Sequence, residues 1–159
     1  MKRWICLLLA LALPAACACA EGAAFTLRFD EGFSLRLPAG WVSYPAEGAG
    51  VRYALGDGTG GRYLYILAQD APVEDFDALQ AAVAEGGREP TGALDMKGQP
   101  FAAFIAPDLN ASGCATLLGG ELITFLFTPQ SDSEYMLAAA QIMDSFALDE
   151  GAPARSVQP

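Results

Sequence analysis

Residues 32–41 read GFSLRLPAGW: Phe33, Leu35 and Leu37 alternate with Ser34 and Arg36 until Pro38 and Gly40 break the pattern. That is the signature of a half-buried strand ending in a corner. Just upstream, residues 25–29 (FTLRF) form a near copy, and Asp30, Glu31 and Gly32 between the two supply the turn chemistry of a three-residue hairpin loop. Pairing Phe29 with Phe33 sets Leu27 opposite Leu35 and Phe25 opposite Leu37, so the apolar side chains share one face and Arg28 and Arg36 the other. These two strands are expected to found the sheet. Trp41 follows the strand exit directly, and its indole is expected to cover the sheet edge or the core.

Outward from this hairpin the alternation recurs. Residues 51–55 (VRYAL) read as a third strand, and residues 62–68 (RYLYILA), apolar almost throughout, read as a central strand covered on both faces. Residues 75–85 (DFDALQAAVAE) carry Phe76, Leu79, Ala82 and Val83 at helical spacing, acids in the first turn and Gly86-Gly87 as a stop. Two further hairpins follow. One joins residues 93–96 to 101–106 through Lys97-Gly98-Gln99-Pro100, and the other joins residues 114–118 to 121–128 through Gly119-Gly120. Ser131-Asp132-Ser133-Glu134 matches a capping box. The helix after it presents Met136, Ala139, Ala140, Met143 and Ala147 as one stripe, widened by Tyr135, Ile142 and Phe146. The fold class is α+β: a mainly antiparallel sheet built from hairpins, with two principal helices packed on it.

Residues 1–20 carry Lys2 and Arg3 at the head, an apolar run from Trp4 to Leu13, and Ala18-Cys19-Ala20, the small-x-small pattern of a signal-peptidase site. Cleavage after Ala20, with Glu21 as the mature N-terminus, is the expectation. The apolar run is shorter than the roughly 20 residues of a membrane span. The alternative is lipidation of Cys17 or Cys19 after the small residues Ala16 or Ala18, although the usual Leu three positions earlier is replaced by Pro14 and Ala16. Residues 21–148 then make one α+β domain, and residues 149–159, without apolar period, a disordered tail. Without Lys2 and Arg3 the net charge moves from −10 to −12, because 7 basic residues remain against 19 acidic ones. Such a polyanion repels nucleic acid, and it meets a membrane only if lipidated. Cleavage also leaves Cys114 alone, so no internal disulfide forms.

The chain has no histidine, which removes the commonest general base, the serine-type triad and most zinc sites. Cys114, flanked by Ala115, Leu117 and Leu118, reads as a buried inert thiol. The GDGTGG loop of residues 56–61 lacks the Lys-Ser/Thr ending of a phosphate cradle and runs from strand to strand. Glu74, Asp75 and Asp77, like Asp132 and Glu134, stand where helix starts favour acids. Asp57 alone does not make a calcium loop, and Asn110-Ala111-Ser112 reads as a polar turn. Trp41, Tyr44, Tyr53, Tyr63 and Tyr65 could line a groove, but aromatic strand positions read first as core. No catalytic, metal or cofactor residue is assigned.

Taken together, the early hairpin with Leu37-Pro38-Ala39-Gly40-Trp41 at its exit, the later hairpins, and a final helix ending in QIMDSF (residues 141–146) resemble the Mog1/PsbP-like family, particularly its exported bacterial branch. The similarity covers residues 25–148. It implies an antiparallel sheet with helices on both sides, an α/β/α sandwich, and binding or assembly in place of catalysis. The expected function is therefore a non-catalytic, exported cell-envelope module, secreted or lipid-anchored and monomeric, that binds another protein or a small ligand. The alternative is a histidine-independent hydrolase using paired carboxylates.

Overall fold

The computed structural model describes residues 23–70 and 75–150. The expected cleavage site at Ala18 and Ala20, the lipidation candidates Cys17 and Cys19, Glu74, and all but the first two tail residues lie outside these bounds. Strands β1 (Phe25–Phe29) and β2 (Phe33–Leu37) pair in the expected register, Phe29 opposite Phe33, Leu27 opposite Leu35 and Phe25 opposite Leu37. Further strands and helices complete the two sheets and their cover. They are β3 (Val42–Tyr44), β4 (Val51–Gly56), β5 (Tyr63–Asp70), α1 (Phe76–Glu85), β6 (Glu89–Met96), β7 (Gln99–Ala106), β8 (Ala111–Leu118), β9 (Glu121–Thr128) and α2 (Ser133–Asp144). The short β10 (Ala147–Leu148) ends the series.

The hairpin does not found the main sheet, contrary to expectation. It forms a separate three-stranded sheet in the order β1-β2-β10, while the main sheet has seven antiparallel strands in the order β3-β4-β5-β9-β8-β7-β6. The reason is that β2 spends its free edge on β10 and its apolar face on the large sheet: Phe33, Leu35 and Leu37 are fully buried there.

Alternation along the central pair β5-β9 builds two cores. Leu64, Ile66, Ile123, Phe125 and Phe127 join the hairpin, Trp41 and the α2 residues Tyr135, Ala139, Ile142 and Met143. Leu122 and Leu126 join Leu79 and Val83 of α1 in a second cluster with Phe104 and Ala115. The strands are packed closely enough that a Cβ at Gly113 would overlap the Phe125 carbonyl and press on the Phe104 ring.

Several boundaries differ from the sequence reading. β3 is too short to show an alternation of its own. β6 runs back to Glu89 through Pro90, which an edge strand tolerates, with a bulge between Pro90 and Gly92. A single 3-10 turn (Pro107–Leu109) and a left-handed Asn110 precede β8, which starts three residues earlier than expected. Asn110 also organises the approach to α2: its side-chain amide donates to Ser131 Oγ, and its Oδ1 accepts from the Ser131 backbone N–H, each at 3.1 Å.

With Ser131 so engaged, the cap of α2 moves to Asp132, whose carboxylate accepts from the Tyr135 backbone N–H at 3.0 Å. The helix stops at Asp144, so Ala147 leaves the expected helical stripe and pairs with Ser34. Asp149, expected in the disordered tail, donates its backbone N–H to the Gly32 carbonyl at 2.9 Å.

Trp41 is buried, 8% exposed, with its ring 6.3 Å from that of Tyr135. Trp41→Ala should cost about 3 to 5 kcal/mol in a urea titration, a large share of the roughly 5 to 15 kcal/mol that stabilises a domain. An unchanged midpoint would refute its burial. The Tyr135 N–H, and then the Arg62 guanidinium at 2.8 Å, hold the Asp132 carboxyl below the usual carboxylate range. A depressed folded-state value contributes stability that is present above the unfolded value of about 3.9 and lost as pH falls through the folded one. Asp132→Asn keeps a good cap but cannot titrate. Its melting temperature should therefore fall less than the parent's between pH 5 and pH 2, measured by circular dichroism.

Candidate functional site

Because α2 lies across the β2 side of the large sheet, the same face remains open over β6, β7 and β8. A groove of about 530 Å³ lies there. The registers Leu94 opposite Phe101, Met96 opposite Gln99 and Ile105 opposite Ser112 put these side chains on that face. Met136, Leu137 and Met143 close the groove from α2. Leu94 and Leu137, one on each wall, are 45% and 70% exposed. Across the floor Ser112 Oγ lies 3.0 Å from Met136 Sδ. The lining contains no Asp, Glu, Lys or Arg, and its methionines are flexible and polarisable enough to fit varied apolar shapes.

Cys114 reaches the groove floor but is 3% exposed, and burial pushes its thiol up to about 12. A thiol that stays protonated is a poor nucleophile, in keeping with the inert reading.

The candidate acids lie elsewhere. Asp75 caps α1, accepting from the Ala78 N–H at 2.8 Å, and Asp77 stands in its first turn. Arg62 sits between Asp132 and Glu134. Asp57 closes the glycine loop on Thr59, accepting from its N–H at 2.9 Å and its hydroxyl at 2.7 Å.

One cluster was not legible in the sequence. The Glu31 side chain, only 3% exposed, accepts from Arg52 at 2.9 Å and from the Tyr53 hydroxyl at 3.0 Å, while the second arm of Arg52 bonds Glu121. The register shift between Val51 and Tyr53 marks a bulge at Arg52, letting these consecutive residues both reach Glu31. The cluster ties the hairpin turn to β4 and β9. Glu31 and Glu121, like Asp132 and Glu134, thus have an arginine between them. Among the described residues no group of three or more Cys, Asp or Glu side chains is arranged to hold a metal ion.

The aromatic candidates separate. Trp41 is core, whereas Tyr44, Tyr53, Tyr63 and Tyr65 are half-buried. Tyr44, Tyr63 and Tyr65 form a ladder with centroids 5.4 and 5.9 Å apart. Gly56 lies beneath it, where a Cβ would collide with the Arg62 carbonyl and the Tyr44 ring. Tyr135, read only as part of a helical stripe, donates its hydroxyl to the Tyr63 carbonyl at 2.6 Å, and burial pushes that hydroxyl's pKa up. No helix among the described residues is long and apolar enough to cross a membrane.

No protein-family model matches the sequence, and no curated protein does. Among solved structures the chain is similar to the solution structure of cyanobacterial PsbP, CyanoP, from Synechocystis sp. PCC 6803. The two share 18% identity with a TM-score of 0.54, over 85% of this chain and 98% of that one. At that identity the likeness concerns architecture, and it agrees with the resemblance carried by residues 37–41 and 141–146. The mainly antiparallel sheet with two helices is a PsbP-like fold.

Proposed function

We propose that this protein is a non-catalytic, exported binding module of the cell envelope, and that its α2-β6-β8 groove takes an apolar ligand. The observation that carries this reading is the composition of the groove: an open apolar concavity with two exposed leucines on its walls and no ionisable group but a buried thiol. Apolar clefts of this size suit ligand binding, and general acid-base chemistry would need convergent carboxylates that the groove lacks. The PsbP-like fold supports the same reading, as does the excess of acids, which disfavours nucleic acid. Export rests on the leader of residues 1–20. The sandwich description is supported by the two core clusters, one containing α2 and the other α1.

The test uses Nile red, a neutral apolar dye. Saturable fluorescence enhancement is expected with the parent protein. It should be lost in Ala140→Trp, which fills the groove from an exposed helix position and should leave the melting temperature unchanged. Absence of dye binding to the parent would overturn the groove assignment. Hydrolysis by the purified protein, abolished by one carboxylate replacement with the fold intact, would overturn the non-catalytic one. Excess EDTA should leave the melting temperature unaltered, since no metal's binding energy enters the folding equilibrium.

A further inference from the structure

The groove opens directly onto a free sheet edge. Among the described residues β6 ends the seven-stranded sheet and pairs only with β7, and every β6 residue except Met96 is exposed. Pro90 and the bulge before Gly92 interrupt the first half of this edge, in the way natural edges are guarded against pairing. The second half, Ala93 to Met96, keeps a regular register with β7 and carries neither device. Its groove-facing side chains, Leu94 and Met96, are also groove lining.

The geometry points to an extended, basic-apolar peptide segment as the occupant: it adds a strand to β6 along Ala93–Met96 and lays alternate apolar side chains into the groove. This rests on the groove reading above and specifies its ligand. Strand addition uses outward backbone N–H and C=O groups for affinity and side-chain pockets for selectivity, and here both belong to the same strand. Charge decides between occupants. Glu89 and Asp95 are the ionisable residues of β6 and both are acids, exposed on opposite faces of the strand. A second copy of the chain, paired antiparallel about Gly92, would set Glu89 against Asp95. The excess of 19 acidic over 9 basic residues opposes other self-pairings as well. A segment whose outward residues are Lys or Arg meets Asp95 on the face away from the groove.

The experiment measures binding of a dye-labelled, end-capped hexapeptide of alternating Lys and Leu by fluorescence anisotropy. Saturable binding that Ala140→Trp removes is expected. Replacing every Lys by Glu should weaken it by about fivefold or more at low salt. An added strand hydrogen-bonds through one of its two edges, so N-methylation of one alternate set of peptide nitrogens should abolish binding and methylation of the other set should not. Equal binding by both methylated forms would overturn strand addition. Nile red binding without peptide binding would overturn the peptide assignment and leave the groove reading standing; failure of both probes would overturn the two together. Sedimentation of the purified protein as a dimer that Leu94→Asp dissociates would assign the edge to a second copy instead.

Discussion

Five phenylalanine rings hold the two sheets together. Phe33 stacks on Phe29 at 4.6 Å and on Phe146 at 5.7 Å, and meets the edge of Phe125 at 5.4 Å; Phe101 packs edge-on against Phe146 at 5.0 Å. Phe29 and Phe33 come from the small sheet, Phe101 and Phe125 from the large one, and Phe146 from the segment after α2. Each such pair contributes about 0.5 to 1.5 kcal/mol beyond the area it buries, and all five rings are within 4% of complete burial. With the hairpin fixed there, α2 has to settle beside it on the same face. The strands farthest from the hairpin are left with that face uncovered, so the groove is a consequence of how the core is closed.

The hairpin register was legible because a period of two, a three-residue loop and two apolar triplets admit only one pairing. Its membership of a separate sheet was not, since alternation tells which face is apolar and not what covers it. The end of α2 misled for a related reason: Ala147 falls four residues after Met143, a spacing that suits a helix, yet the pairing of Ala147 with Ser34 wins. At the other end, Ser131 and Asp132 are both good caps, and only the distant Asn110 takes Ser131 out of contention.

For the candidate site the sequence held half the information. Leu137 lies off the apolar stripe of its helix, and Leu94 on an otherwise exposed strand, but nothing local brings the two to one concavity. The acids were easier, because helix starts account for Asp75 and Asp132 without reference to the tertiary structure. Glu31 was hidden by its own context: a turn residue between Asp30 and Gly32 reads as solvated, and only a bulge 21 residues on supplies the arginine and tyrosine that bury it.

The position of Phe146 bears on how the chain reaches its folded state during synthesis. Its ring contacts Phe33, 113 residues earlier, and β10, which completes the small sheet, comes later still. An emerging polypeptide that has delivered every strand of the large sheet still lacks one ring of the nucleus and one strand of its lid. Contacts of such sequence separation are slow to form and are closed late. The finished core therefore draws on almost the whole of residues 25–148.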